Sequence, residues 1–263
     1  MAPMPARGWS EIPTMRILIV NPNTTAAMTE KIGAAARTAA SPGTDIVAVN
    51  PADGPVSIEG YYDEAFSTPG LLAEIAKGEA VGVAAHIIAC FDDTGLEAAR
   101  SLAKAPVIGI GEAAFHLASL IAYRFSVVTT LSRSIAAIET NLIKYGLAGR
   151  CAKVRACEVP VLALDDPASN ASAQISSEIE LAKYEDRAEA IVLGCAGMAD
   201  LAARLAERHN LPVIDGVSCA VKLAEACGGL GLKTSKIGAY AAPRPKPYLG
   251  GFAQFAPRRD EHH

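Results

Sequence analysis

The sequence predicts an α/β protein of two similar lobes, each a mostly parallel sheet flanked by helices, with a ligand site in the cleft between them. Short apolar runs alternate with longer amphipathic segments, which is the pattern of βα units. Hydrophobic residues make up 51% of the 263 residues and aromatic residues only 5%, which favours aliphatic parallel strands covered on both faces. An apolar run that ends in a cysteine occurs twice, at Cys90 and Cys195. This repetition indicates two related halves.

The first half of the chain contains four predicted βα units. The first strand is the apolar run 16–20, and Pro22 ends it because proline cannot continue a strand ladder. A second strand is followed by residues 50–55, which are too rich in Pro, Asp and Gly to form regular structure. The third strand ends at Cys90. The predicted strands are 16–20, 45–49, 86–90 and 106–110, and the predicted helices are 26–39, 71–79, 96–104 and 113–123.

The second half repeats this plan. Its first strand ends in two hydroxyl residues, Thr129 and Thr130, and Ser132 is placed to cap the helix that follows. Its third strand ends at Cys195, and we expect a helix to begin directly after it. The predicted strands are 125–130, 150–158, 190–195 and 212–216, and the predicted helices are 132–145, 173–186, the helix after Cys195, and 217–230.

Charge and the terminal segments exclude several classes of protein. A net charge of −4 without a basic run argues against nucleic acid as a partner. Every apolar run is shorter than the roughly 20 residues of a membrane span. Residues 1–14 lack the apolar core of a signal peptide and are predicted to be a disordered extension, and residues 244–263 an extended arm. Six cysteines without CxxC spacing suggest neither disulfides nor a metal site, and favour the reducing cytoplasm.

The two cysteines suggest a chemistry. Ligands of open α/β sheets bind beyond the carboxyl ends of the strands, where Cys90 and Cys195 lie. We expect a thiol at a helix N-terminus to have a pKa below its reference of about 8.5. Two such groups that face one ligand can remove a proton from carbon on one side and return one on the other, which inverts the carbon without a cofactor. Backbone N–H groups near Gly194 and Gly197 can hold the oxygen that gains charge.

Other residues near these motifs are interpreted as structural. Asp92 and Asp93 are expected to cap the helix after Cys90, although a carboxylate at that place would raise the pKa of the thiol. His86 and His116 lie inside predicted elements and are interpreted as hydrogen-bonded structural groups. A cysteine in an apolar run is usually a small core residue. We assign that role to the other four cysteines, Cys151, Cys157, Cys219 and Cys227.

Six segments carry a family resemblance. They are VNPNTT at 20–25, PVSIEG at 55–60, ACFDD at 89–93, FSVVTT at 125–130, VLGCAGM at 192–198 and VIDGV at 213–217. Each segment alone is weakly specific for a family, but six such segments in this order are specific. Over residues 15–243, the chain resembles the hydantoin racemases, in the hydantoin/allantoin branch of the aspartate/glutamate racemase superfamily.

The resemblance implies a cofactor-independent racemase that acts on 5-monosubstituted hydantoins, without a metal. It implies that Cys90 and Cys195 are the catalytic thiols. It also implies that the first lobe comprises 15–113 plus 216–243, that the second lobe, 114–215, is inserted into it, and that the protein is a homo-oligomer built on a dimer, as a tetramer or hexamer. The residues expected around the substrate ring are Asn23, Ser57, Phe91, Thr129, Thr130, Gly194, Ala196 and Gly197.

Three alternatives stay open at this point. An allantoin racemase would differ mainly in the pocket, because allantoin carries a polar ureido group on C5 of the same ring. A carbon–carbon lyase or a cis–trans isomerase would use the same scaffold, although the lyases lack one of the two cysteines. A non-enzymatic ligand-binding protein would use Cys90 and Cys195 as a thiol switch.

Overall fold

The computed structural model describes residues 15–166 and 168–257 and contains two four-stranded parallel sheets flanked by helices. The predicted α/β fold class is therefore confirmed. The predicted extension at 1–14 and the last residues of the predicted arm, 258–263, lie outside the described residues. Within the described residues, no helix is both long enough and apolar enough to cross a membrane.

The first sheet has the strand order β2-β1-β3-β4, with every neighbouring pair parallel. The central strands β1 and β3 are buried along most of their length, which explains their continuous apolar sequences. We call this sheet with its helices the first lobe. Its elements are β1 Met15–Val20, α1 Ala26–Ala39, β2 Thr44–Val49, α2 Tyr61–Ala80, β3 Ala85–Ile88, α3 Leu96–Leu102 and β4 Val107–Gly109. Helix α4, Ile110–Ile121, follows β4 and packs on strands of both sheets.

The second sheet repeats this topology. Its order is β6-β5-β7-β8, again all parallel, so each strand takes the same place as its counterpart in the first sheet. We call this sheet with its helices the second lobe. Its elements are β5 Phe125–Thr129, α5 Ile135–Lys144, β6 Cys151–Ala156, α6 Ala171–Tyr184, β7 Ala190–Gly194, α7 Ala202–His209 and β8 Val213–Asp215. Helix α8, Gly216–Gly229, follows β8 but packs mainly on α4, on α1 and on strands β1, β3 and β4 of the first sheet.

Helix α2 begins ten residues before its predicted start because the helix continues through Pro69. Leu71 and Ile75 are fully buried on one face, and this packing outweighs the local cost of the proline.

The two sheets share one apolar core. Ile17 and Ile87 of the first sheet belong to the same buried cluster as Phe125 and Val192 of the second. Phe115 of α4 lies between them, and its ring stacks on that of Phe125 with a centroid distance of 6.1 Å. Because the lobes are joined through this core, their strand ends keep a fixed relative position.

The C-terminal segment first follows the first lobe and then leaves it. The backbone N–H of Thr234 donates to Lys104 O at 2.9 Å. Residues 241–249 have no regular structure and are exposed. The predicted extended arm is interrupted by a 3₁₀ helix, Gly250–Phe255, where Gly250 adopts a left-handed φ of 60° that glycine permits.

Candidate functional site

A cleft lies where the carboxyl ends of strands from both sheets meet. Both Cys90 and Cys195 line it, so the structure brings one cysteine of each lobe to the same space. Further residues that the sequence predicted around a ligand are also in its wall. They are Asn23, Phe91, Thr130, Gly194 and Ala196.

Cys90 lies two residues after β3 in a loop, and α3 does not begin until Leu96. Thr94 donates a hydrogen bond from its hydroxyl to Cys90 Sγ at 3.3 Å. The backbone N–H of Asp92 also donates to this thiol. Cys90 is therefore held by its own loop and not by the N-terminus of an α-helix.

Cys195 directly follows β7 and precedes a 3₁₀ helix, Ala196–Leu201. The backbone N–H of Gly197 donates a hydrogen bond to the thiol. A side chain at Gly194 would place its Cβ 2.8 Å from Thr129 Cβ, closer than such atoms pack. Glycine at 194 thus allows β5 and β7 to approach closely where Cys195 leaves the sheet.

The expectation that both thiols have lowered pKa values is wrong. Burial raises the pKa of Cys90 well above its usual range and that of Cys195 to about 12. These values include the negative charge of Asp92, which raises the pKa of both thiols, and the hydrogen bonds from Thr94 and the backbone of Asp92 at Cys90 and from Gly197 at Cys195, which lower it. Desolvation is the largest of these effects.

Asp92 lines the cleft beside Cys90, and its Oδ2 accepts a hydrogen bond from Ser134 Oγ at 3.2 Å. Burial and the negative charge of Glu64 together raise the pKa of Asp92 to about 7. Burial also raises the pKa of Glu64, whose buried Oε1 has no hydrogen-bond partner among the described residues. This part of the site therefore disfavours any additional negative charge.

The prediction that Asp93 caps the helix after Cys90 is also wrong. Its carboxylate accepts hydrogen bonds from the backbone of Gly111 and Glu112 at 3.0 and 2.8 Å, and so caps α4. It also accepts one from Tyr145 Oη of the second lobe at 2.7 Å. Helix α3 instead follows Gly95, which adopts a left-handed φ of 71°.

The loop after β1 positions Asn23. The side-chain amide of Asn21 donates to Asn23 Oδ1 at 2.8 Å and to Thr29 Oγ1 at 3.0 Å. Asn23 Oδ1 also accepts from the backbone N–H of Thr25 at 2.9 Å. Both asparagine side chains are thus fixed in the wall of the cleft at the start of α1.

Three residues predicted to contact the ligand ring do not line the cleft. Thr129 is buried, and its hydroxyl donates to Gly194 O at 2.9 Å, so it supports the wall from behind. Gly197 contributes its N–H to Cys195, as described above. Ser57 is half-buried and lies one residue before the lining residue Ile58.

Several lining residues were not predicted from the sequence. Asn21 directly follows a strand and Asp92 follows Cys90 by two residues, so the rule that sites form at strand ends could have identified both. Met28, Ile58, Ser134 and Val161 have no comparable signal, because their positions depend on how loops and helices pack. The lining residues of this kind are Asn21, Met28, Ile58, Asp92, Ser134 and Val161.

The buried aspartates predict a pH dependence of stability. The pKa values of Asp92 and Asp93 are raised to about 7, against about 3.9 in an unfolded chain. The folded chain therefore keeps protons that the unfolded chain releases, and the free energy of unfolding contributed by these groups falls as pH rises from about 4 to about 7. Urea unfolding at about pH 5 and about pH 8 measures this fall, which we expect to be smaller in Asp92→Asn.

A carboxyl group whose pKa is lowered by folding affects stability at a lower pH. The pKa of Glu225 is lowered to about 2 by hydrogen bonds from Ser41, Lys222 and Thr44 that outweigh its desolvation. Its contribution to stability is lost only below about pH 4.

An Asp92→Asn variant with the same loss of stability between pH 5 and pH 8 as the wild type would contradict the raised pKa of Asp92.

The chain is similar to known proteins over most of its length. The family model described as Asp/Glu/Hydantoin racemase matches residues 17–224. A hydantoin racemase of Rhizobium meliloti is 53% identical over 236 residues, 90% of this chain and 98% of the relative. One of Pseudomonas sp. is 47% identical, over 92% of this chain and 97% of the relative.

The chain is also similar in fold to a solved racemase structure. An allantoin racemase from Klebsiella pneumoniae superimposes with a TM-score of 0.90 and 49% sequence identity, covering 93% of this chain and 100% of that protein. Family and fold agree over nearly the whole length. The chain therefore belongs to the Asp/Glu/hydantoin racemase family and is an isomerase, a racemase acting on a small molecule.

Proposed function

We propose that this racemase inverts C5 of 5-monosubstituted hydantoins, with Cys90 and Cys195 as its two acid–base groups. The observation that carries the proposal is that each cysteine follows the third strand of its lobe and that both line one cleft. Equivalent places in two repeated lobes give a substrate one thiol from each side. The proposal uses no cofactor and no metal.

The reaction is an exchange of one proton. The thiolate of one cysteine takes the hydrogen from C5, and the electron pair of the broken C–H bond moves onto the C4 carbonyl oxygen to form an enolate. The thiol of the other cysteine then gives its proton to the opposite face of C5, and the enolate returns to the carbonyl. The cysteines end with their protonation states exchanged, ready for the other enantiomer.

The acidity of the substrate fits thiols of raised pKa. C5–H of a hydantoin is flanked by a carbonyl and a ring nitrogen, and is far more acidic than the α-hydrogen of a free amino acid. A thiolate with a pKa near 12 is rare at neutral pH but strongly basic once formed. Protonated Asp92 supports its formation, because it removes a negative charge that raises the pKa of both thiols. We therefore assign Asp92 its neutral form in the reactive state.

The ring is common to both substrate classes that the relatives' names suggest. The curated relatives are named hydantoin racemases and the structural neighbour an allantoin racemase, and allantoin is a hydantoin with a ureido group on C5. The cleft offers apolar Met28, Ile58 and Val161 beside polar Asn21 and Asn23. The apolar part favours a hydrocarbon side chain, and allantoin is the second candidate.

The test is incubation in D2O with single enantiomers of benzyl-, isobutyl- and methylthioethyl-hydantoin and of allantoin. Loss of optical rotation measures inversion, and mass spectrometry measures deuterium at C5. We expect inversion accompanied by deuterium in the product, fastest with the apolar side chains. Inversion of allantoin alone would replace the substrate by the second candidate. Failure of all four substrates would contradict the proposed function.

A further inference from the structure

Two loops, one from each lobe, meet at the wall of the cleft. Ile58 lies in the loop before α2, and Val161 begins a 3₁₀ helix, Val161–Asp165, in the second lobe. Both side chains are buried and line the cleft. Between them in space is Glu59, whose Oε1 accepts a hydrogen bond from the backbone N–H of Val161 at 3.0 Å across 102 residues of chain.

The loop that carries Glu59 is held in place from its own lobe. The backbone N–H of Glu59 donates to Asp63 Oδ2 at 2.9 Å, which fixes the residue at the start of α2. The hydroxyl of Thr25 donates to Val56 O at 2.6 Å, which fixes the loop on the start of α1. The carboxylate of Glu59 is thus presented to the second lobe by a braced loop.

The Cys90 loop is joined to the second lobe by several hydrogen bonds at once. The loop that carries Cys90 is bonded to the second lobe by Ser134 at Asp92 Oδ2, by Asn141 at Asp92 O and by Tyr145 at Asp93 Oδ2. These bonds act together, so that loop stays in place if one of them opens. Loss of the Glu59 hydrogen bond would separate the loops of Ile58 and Val161 more, because that bond joins the two loops directly.

We propose that Glu59 is a positioning residue that holds the Ile58 loop against the Val161 loop and so closes the cleft over the ring bound between the cysteines. This inference rests on the proposed function for the identity of the ring. Glu59 does not touch the reacting atoms. It keeps two apolar side chains over them, which excludes water from the enolate and from the thiolate, and exchange of substrate with solvent requires the bond to open.

The test compares Glu59→Ala, which removes the acceptor, with Glu59→Gln, whose amide oxygen still accepts from Val161 N–H. Glu139→Ala, at an exposed position of α5, is the matched control. With benzylhydantoin as substrate we expect Glu59→Ala to lower kcat/KM about five- to tenfold, the equivalent of one net hydrogen bond, with most of the loss in kcat because water then reaches the enolate and the thiolate. Glu59→Gln and Glu139→Ala should remain within about twofold of the wild type.

A second measurement needs no substrate. Iodoacetamide alkylates Cys90 and Cys195 at a rate that depends on how often the cleft is open, and mass spectrometry resolves each cysteine. We expect faster alkylation of both in Glu59→Ala, no change in Glu59→Gln, and an unchanged rate at Cys227 on α8. Unchanged alkylation in Glu59→Ala, or equal loss of function in the Ala and Gln variants, would overturn the proposal. Because this readout is independent of turnover, a chain inactive on hydantoins would overturn the proposed function alone.

Discussion

Replacing either Cys90 or Cys195 with serine is expected to reduce racemization about a thousandfold or more. A serine hydroxyl is a far weaker acid than a thiol, so it neither forms the anion that removes the C5 proton nor returns a proton readily, and acid–base catalysis of this kind contributes about 10²- to 10⁴-fold per group. Optical rotation with each pure enantiomer measures the loss. Because serine is close in size to cysteine, circular dichroism should show an unchanged fold.

Exchange without inversion gives this prediction a sharper form. Each single variant keeps one thiol, which can remove and return a proton on its own face of C5. In D2O we therefore expect slow deuterium incorporation into one enantiomer only, and into opposite enantiomers for the two variants. Cys227→Ser, a substitution of a half-buried cysteine on α8, should retain full activity. Full activity of Cys90→Ser or Cys195→Ser would remove the two-thiol mechanism from consideration.

Loss of the Asp93 side chain is expected to have the largest effect on stability. Asp93→Ala leaves the backbone N–H groups of Gly111 and Glu112 and the hydroxyl of Tyr145 without their common acceptor. Unsatisfied buried groups cost about 1–3 kcal/mol each, so the free energy of unfolding should fall by about 3 kcal/mol or more. Urea unfolding followed by circular dichroism measures it.

Two further variants control for this effect. Asp53→Ala alters an exposed aspartate of the first lobe and should change the free energy of unfolding by less than about 0.5 kcal/mol. Asp93→Asn retains one acceptor oxygen and suits the left-handed φ of 51° at this position, so it should lie between the wild type and Asp93→Ala. An Asp93→Ala variant as stable as the wild type would show that solvent replaces the lost acceptor.

The sequence was sufficient to predict the features that depend on periodicity and on strand ends. The alternation of apolar and amphipathic segments predicted all eight strands within a few residues of their observed positions. Cys90 and Cys195 were singled out because each ends an apolar run, and both line the cleft. Parallel sheets collect the ends of their strands at one edge, so this rule converts sequence position into spatial proximity.

Features that depend on distant packing were not predictable in this way. The role of Asp93 depends on Gly111 and on Tyr145, 52 residues away, and its position beside Cys90 suggested only a local cap. The pKa of both thiols depends mainly on desolvation, and that of Cys90 also on the charge of Glu64; neither follows from a helix pattern, whereas the effect of Asp92 was expected from its place beside Cys90. Local sequence rules therefore found the correct residues, but they gave the wrong direction for the pKa shifts of Cys90 and Cys195 and the wrong helix for Asp93.

Each sulfur accepts a hydrogen bond from the backbone N–H two residues later, Asp92 for Cys90 and Gly197 for Cys195. Only Cys90 also accepts one from a hydroxyl, that of Thr94, and this difference has a kinetic consequence. Under the proposed mechanism, the cysteine that starts as the base differs between the two enantiomers, so the two directions pass through unequal resting states and differ in kcat. Mirror-image substrates have equal free energy, so the equilibrium constant is one and kcat/KM must be the same in both directions. Any preference of the enzyme for one enantiomer in kcat is therefore matched by the same factor in KM.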